Sequence, residues 1–243
     1  MPSTTVNATL QGKVYFSLIG SPLVSWVNEV RPATTGTAAN TYTTQIQVGN
    51  AIDVYLVTSR LNQAGFCSRV FLFFDNLDTA IGVGSTITAA TLKVYNNSSG
   101  DTTNTITVEG SAWGGDGTTT TLSTSDYSNL DHTTAYSNEL TSWAGSGYNS
   151  FTLNATAISD MNTNGYLNCV VIEADHDYGN TNPTLDAAAK NVDVGFNYSG
   201  NEIQLELTYS TGYGNKVIGV DKTNIGEVTG VATTDIKAVI GIT

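Results

Sequence analysis

Apolar residues recur along this chain with a period of two, in short runs: Val14, Phe16 and Leu18; Val70, Leu72 and Phe74; Leu92 and Val94. The cleanest run comes late, where Ile203, Leu205 and Leu207 alternate with Glu202, Gln204, Glu206 and Thr208. Successive side chains of a strand point to opposite faces, so this spacing predicts strands with one buried face. Between the runs, residues 96–101, 114–117 and 199–201 are rich in Gly, Asn, Asp and Ser, the residues that turn a chain. Many short strands joined by turns predict an all-β fold, an antiparallel jelly-roll-like sandwich. One segment reads as a short helix over residues 155–164, with Asn154 as its N-cap, Ile158 and Met161 on one face, and Gly165 as its stop.

Two regions break this pattern. Residues 110–150 scatter Trp113, Tyr127, Tyr136, Trp143 and Tyr148 through polar sequence, with GGDG at 114–117 and a threonine run at 118–121. Long loops of this kind either pack on their own aromatics or face a ligand. The first alternative makes the tryptophans plugs at the end of the sandwich; the second makes Trp113, Tyr127, Tyr136 and Trp143 candidate glycan contacts. At the other end, Val217-Ile-Gly-Val220 is echoed by Val228-Thr-Gly-Val231 and by Val239-Ile-Gly-Ile242, each copy 11 residues after the last, with Ile225 and Ile236 repeating between them. A glycine in every copy beside β-branched residues argues for short strands and turns rather than helix. Repeats this short cannot bury their apolar residues alone, which makes 211–243 a candidate assembly element built on Val217, Val220, Ile225, Val228, Val231, Ile236, Val239 and Ile242.

Composition narrows the function. The 243 residues carry 9 Lys and Arg against 21 Asp and Glu, a net charge of −12, and only 12% are charged. With no basic cluster there is no driving force for binding a phosphate backbone, so no nucleic-acid partner is expected. No apolar run approaches the roughly 18 residues of a spanning helix, and residues 1–20 lack a basic stretch followed by an apolar one, so neither membrane insertion nor a signal peptide is expected. Cys67 and Cys169 each sit in an apolar strand-like stretch and read as buried free thiols ahead of a disulfide. His132 and His176 stand at spacings unrelated to the cysteines, which disfavours zinc. Neither histidine has a recognisable nucleophile, and no G-x-S-x-G or H-E-x-x-H motif occurs, so the expectation is a protein that is not an enzyme. Asp175 and Asp177, with Asn180 and Asn182 nearby, offer hard oxygen ligands and are the candidate metal residues, for calcium; the alternative is an ordinary Asp/Asn turn. No other cofactor is expected.

The run Ser68-Arg-Val-Phe-Leu-Phe-Phe-Asp75, followed by Gly84-Ser-Thr-Ile-Thr-Ala-Ala-Thr-Leu-Lys-Val-Tyr95, resembles the DNRLRE-type, or disaggregatase-related, β-sandwich domains. Gln45-Ile-Gln-Val-Gly49, Tyr148-Asn-Ser-Phe-Thr-Leu153 and the closing strand 202–209 fit the same order, so the resemblance spans roughly residues 20–210. It implies a jelly-roll, carbohydrate-binding-module-like sandwich of the kind found on cell surfaces and virions. The tail from Val217 is similar to the V-x-G-V repeats that end many bacteriophage structural proteins.

Together these readings predict an N-terminal arm (1–12), a jelly-roll sandwich (13–210) and a repeat tail (211–243). The expected protein is a bacteriophage virion structural component, a capsid decoration, head fibre or tail-fibre-like part. It is made in the host cytoplasm, homo-oligomeric, joined to other capsid or tail proteins, and in contact with host surface glycans. The alternative is a surface carbohydrate-binding module without a structural role.

Overall fold

A computed structural model describes residues 1–21, 26–41, 45–57, 60–96, 104–183, 190–195, 201–211, 227–228 and 231–232, with side chains described for these except 19–21, 45–57, 60–64, 190–195, 227–228 and 231–232. In chain order the first strands are β1 (Ser3–Asn7), β2 (Leu10–Ser21), β3 (Ala38–Thr41), β4 (Gln45–Val57), β5 (Arg60–Phe74), β6 (Thr86–Asn96) and β7 (Thr105–Gly110). They are followed by β8 (Leu130–Ala135), β9 (Gly147–Thr152), β10 (Leu167–Glu173), β11 (Lys190–Gly195), β12 (Gln204–Ser210), β13 (Glu227–Val228) and β14 (Val231–Ala232). The helices are α1 (Trp26–Glu29), α2 (Leu77–Ile81) and α3 (Ala155–Asn164).

Among the described residues every strand pairing is antiparallel. The long strand β5 organises the fold. One edge pairs with β2, which carries β3 beyond it; the other edge pairs with β4 along Arg60–Ser68 and with β10 along Val70–Phe74. From β10 the sheet continues through β7 to β8, and from β4 through β11 to the end of β6. β6 lies between β12 and β9, and β1 pairs with β12. The protein is therefore an all-β sandwich, with one apolar core between β5/β10 and β6/β12/β9.

The alternating positions are where the period of two places them. Val70, Leu72 and Phe74 of β5, Leu92 and Val94 of β6, and Leu205 and Leu207 of β12, with Ile203 just before it, fill this inner core. The other parity of β5 is buried too: Cys67, Phe71 and Phe73 join Val170 and Ile172 of β10 and Ile106 and Val108 of β7 in a second core on the outer face. A strand buried on both faces reads as an unbroken apolar run, as in Phe71-Leu-Phe-Phe74. The outer core is covered by loops, through Trp26, Val30, Trp113, Leu122 and Tyr127.

The sequence-derived helix lies at 155–164. Asn154 Oδ1 accepts from the backbone N–H of Thr156 at 3.0 Å and Ala157 at 3.1 Å, and Gly165 takes the left-handed conformation (φ 74°). Ala157 and Met161 face the inner core, with Ile158 packed partly against it. It is not alone, since α1 and α2 are also helical; at four and five residues each, neither is long enough to show a helical period. The segment 1–12, expected as an arm, belongs to the sheet: β1 runs along β12 from Ser3↔Thr208 to Asn7↔Gln204, and Leu10 is buried in the outer core. Among the described residues no helix is long and apolar enough to cross a membrane.

Candidate functional site

One charge interrupts the apolar run of β5. Arg69 points to the outer face and is buried, so every donor it carries needs a partner. Its Nε donates to Asp177 Oδ2 at 2.8 Å and its Nη2 to Asp177 Oδ1 at 2.7 Å, a two-point ion pair. Nη1 donates to the Tyr127 carbonyl at 2.7 Å and Nη2 also to the Arg31 carbonyl at 2.8 Å. The Tyr127 ring lies 4.0 Å under the guanidinium, a cation–π contact, while its hydroxyl donates to the Val30 carbonyl at 3.0 Å.

Asp177 reaches this position on a π-helical turn, Ala174–Tyr178, that closes β10. The Glu173 carboxylate caps that turn by accepting from the backbone N–H groups of Asp175, His176 and Asp177. Arg31 Nε donates to the Asp177 carbonyl at 2.5 Å, and His132 Nε2 of β8 lies 3.1 Å from Asp177 Oδ1 and 3.3 Å from Arg69 Nη2. Burial alone would raise the Asp177 carboxyl; the Arg69 guanidinium, seconded by His132, holds it well below the usual carboxylate range. Burial likewise acts to neutralise Arg69, but the Asp177 carboxylate keeps it firmly protonated. The Cys67 thiol, 3.5 Å from Asp177 Oδ2, is pushed up by burial and by that carboxylate, which makes it a poor nucleophile. The arrangement ties loops to a sheet: one Arg–Asp pair joins β5, the turn after β10, the segment around Arg31, the 3-10 turn Thr124–Ser128 and β8.

The candidate residues separate on this frame. Asp177 has both carboxylate oxygens on Arg69 and is fully buried, which corrects its reading as a calcium ligand. Asp175 stands on the surface with the Asn104 amide 3.2 Å from each carboxylate oxygen, and it groups with Glu173 and His176. There His176 Nδ1 lies 2.9 Å from Glu173 Oε1, and the Glu173 carboxylate is engaged by the turn's own backbone, as in the Asp/Asn-turn alternative. Asn180 takes a left-handed conformation (φ 54°), and Asn182 Oδ1 accepts from the Val27 N–H at 3.0 Å.

The four aromatics considered for glycan stacking are all buried, which corrects that assignment. Trp113, at φ 56°, turns its ring into the outer core and edge-on to Phe71 at 6.3 Å; Tyr127 lies under Arg69. Tyr136 and Trp143 enter the inner core, where the Trp143 indole packs on Phe151 at 5.9 Å and donates to Thr105 Oγ1 at 3.1 Å. A ring whose faces are covered by protein cannot stack on a sugar. Cys67 and Cys169 are free thiols, Cys67 in the outer core and Cys169 in the inner one.

In the tail, β13 and β14 pair antiparallel with register Glu227↔Ala232 and Val228↔Val231, which pairs the first and last valines of the central V-x-G-V copy. Val217, Val220, Ile225, Ile236, Val239 and Ile242 lie outside the described residues. No protein-family model matches the chain, and no curated protein matches it either.

The Arg69–Asp177 pair escaped the sequence reading because its partners are 108 residues apart. A signal was present nonetheless: a lone arginine inside an apolar strand demands an acid, and the acid lies next to a histidine in the Asp-His-Asp sequence 175–177.

Proposed function

We propose that this chain is a bacteriophage virion structural protein, a capsid decoration or fibre-like component whose sandwich is displayed on the particle while its repeat tail joins it to other copies and to capsid or tail proteins. The observation that carries the reading is the antiparallel pairing Val228↔Val231, centred in a repeat that recurs every 11 residues. A pair of two-residue strands cannot hold its own apolar residues, so such units gain stability by stacking on further copies. Among the described residues the last sandwich strand, β12, ends at Ser210, ahead of the repeat, which suits a separate display body and attachment device. Its weakly charged sequence, rich in Thr, Asn and Ser, suits contact with host glycans through hydroxyl and amide hydrogen bonds.

Light scattering of the full chain and of a chain ending at Tyr213, at equal concentration, tests the proposal. The full chain should form a trimer or larger oligomer and the truncation a folded monomer. Two monomers of the expected mass, or a truncation that enters particles at normal copy number, would sink it.

A further inference from the structure

The main path of the sheet ends in β1 on one side and β8 on the other, each hydrogen-bonded to a single strand among the described residues. An open strand edge is a row of main-chain donors and acceptors, which charge, proline or a bulge keeps from pairing with another chain. β8 has such protection: it carries Asp131 and His132, and its register against β7 shifts between Val108 and Glu109. β1, Ser-Thr-Thr-Val-Asn, has no charge, no proline and an unbroken register against β12.

The ladder shows which groups of β1 are free. Tyr209 N–H donates to the Pro2 carbonyl at 3.2 Å and Ala8 N–H to the Ile203 carbonyl at 3.0 Å, so residues of even number turn their main-chain groups to β12. Ser3, Thr5 and Asn7 turn theirs the other way, and all three residues are exposed. Thr4 and Val6 are half-buried, and Val6 packs against the inner core.

A second β1 fits this edge. When two copies meet antiparallel about a two-fold axis at Thr5, Ser3 lies opposite Asn7 and Thr5 opposite Thr5, so every outward N–H meets an outward carbonyl. On the inner face Val6 meets Thr4 of the other copy, which buries both further. Subunits of net charge −12 repel, but this edge is uncharged and the acids beside it are engaged: Glu202 accepts from the Asn7 amide at 2.6 Å, and Glu206 pairs with Lys93 at 2.8 Å. A five-residue strand pair buries far less than the roughly 1,200–2,000 Å² of a stable interface, so free sandwiches stay apart. The repeat tail changes that, because it follows β12, the strand beside β1, and copies joined by it hold their β1 edges at an effective concentration on the order of 1 mM.

We propose that β1 is a second assembly contact, pairing antiparallel with β1 of another copy about Thr5 so that two sandwiches share one sheet. The inference rests on the assembly part of the proposed function for gathering the copies, and not for the pairing itself.

The test is a set of cysteine variants of the full chain, Ser3→Cys, Thr5→Cys and Asn7→Cys, with Thr120→Cys, at an exposed loop position, as the control for chance encounters. Cys67 and Cys169 are buried and do not compete. With oxidised glutathione, Thr5→Cys should link into dimers at least about tenfold faster than the other three, since Cα atoms paired at about 5.5 Å lie within disulfide reach, whereas Asn7 and its counterpart stand about 14 Å apart. Amide hydrogen exchange gives a second readout. Thr5→Pro removes one outward N–H and leaves the even-numbered bonds to β12, so it should speed exchange at Ser3 and Asn7 by about tenfold or more while Thr4 and Val6 stay protected. Linking at Thr5 no faster than at Thr120, faster linking at Ser3 or Asn7 than at Thr5, or unchanged exchange at Ser3 and Asn7 in Thr5→Pro would each overturn the pairing. Light scattering separates the two readings. Oligomers without preferential linking at Thr5 would keep the tail and remove the edge; a monomeric full chain that still links at Thr5 near about 1 mM would keep the edge and remove the tail; a monomer that does not link would remove both.

Discussion

The two faces of β5 are stabilised by different means. The inner face, Val70, Leu72 and Phe74, meets apolar side chains from β6, β9, β12, α2 and α3, and its order comes from close packing. The outer face, Cys67, Arg69, Phe71 and Phe73, is covered by loops, and those loops converge on a buried ion pair. Loops carry backbone groups that a sheet cannot satisfy. Arg69 provides directed donors to the carbonyls of Arg31 and Tyr127 while Asp177 neutralises its charge, so the pair serves as a fixed point for segments with no ladder of their own. A purely apolar outer face could bury as much area, but it would not specify which loop carbonyl goes where. The contrast teaches that period-two packing suffices where strand meets strand, whereas a loop layer needs polar contacts of defined direction.

The largest test of this contrast is to break the pair. Asp177→Asn leaves Arg69 charged and buried without its counter-ion and should cost about 3–5 kcal/mol in urea unfolding. The double replacement Arg69→Met with Asp177→Leu should recover most of that loss in stability, yet loosen hydrogen-exchange protection around Arg31 and Tyr127. A single Asp177→Asn loss below about 1 kcal/mol would show that the pair does not hold the outer layer.

On the inner face, Leu72→Ala should cost about 2–5 kcal/mol through lost burial and the cavity left behind. Its exchange should rise across β6 and β12 and leave the Arg31 segment protected, which is the converse of the Asp177 variant.

Acid should find the outer face first. Because the folded-state Asp177 carboxyl is lowered, its contribution is fully present above the unfolded value of about 3.9 and is lost as pH falls from there towards the folded value. Thermal stability should therefore drop below about pH 4, and the drop should be shallower in Asp177→Asn. Equal acid sensitivity in the two proteins would place the responsible carboxylate elsewhere.

Smaller effects calibrate the scale. Asn154→Ala removes the cap of α3 and should cost about 1 kcal/mol, seen in thermal melts. Lys93→Ala removes a 2.8 Å ion pair with Glu206 on the solvent face of β6 and β12, where both side chains are partly exposed, and should cost no more than about 1 kcal/mol.

Legibility in the sequence followed the range of the interactions. The strands at 70–74, 92–94 and 203–207 and the helix at 155–164 declared themselves because the period of two, the Asn154 cap and the Gly165 stop are local features. The aromatics of 110–150 were open to two readings because sequence does not state which side of a ring is covered. Trp113 and Trp143 lie only 30 positions apart yet end in different cores, one against Phe71 and the other against Phe151. Asp177 looked like a surface ligand for the same reason: its neighbours in sequence are polar, and its partner in space is Arg69, a strand away on β5.

The sequence by itself determined the all-β class, the one well-capped helix, the acidic and weakly charged character, and the 11-residue repeat, because each follows from spacing or from counting. Only the tertiary structure decided that β5 is buried on both faces along Cys67–Phe74 and that Arg69 within that stretch is neutralised by Asp177. Those outcomes depend on which distant segments meet, and that is settled by the long-range pairings of β10 with β5 and of β11 with β6 rather than by any local preference of the residues involved.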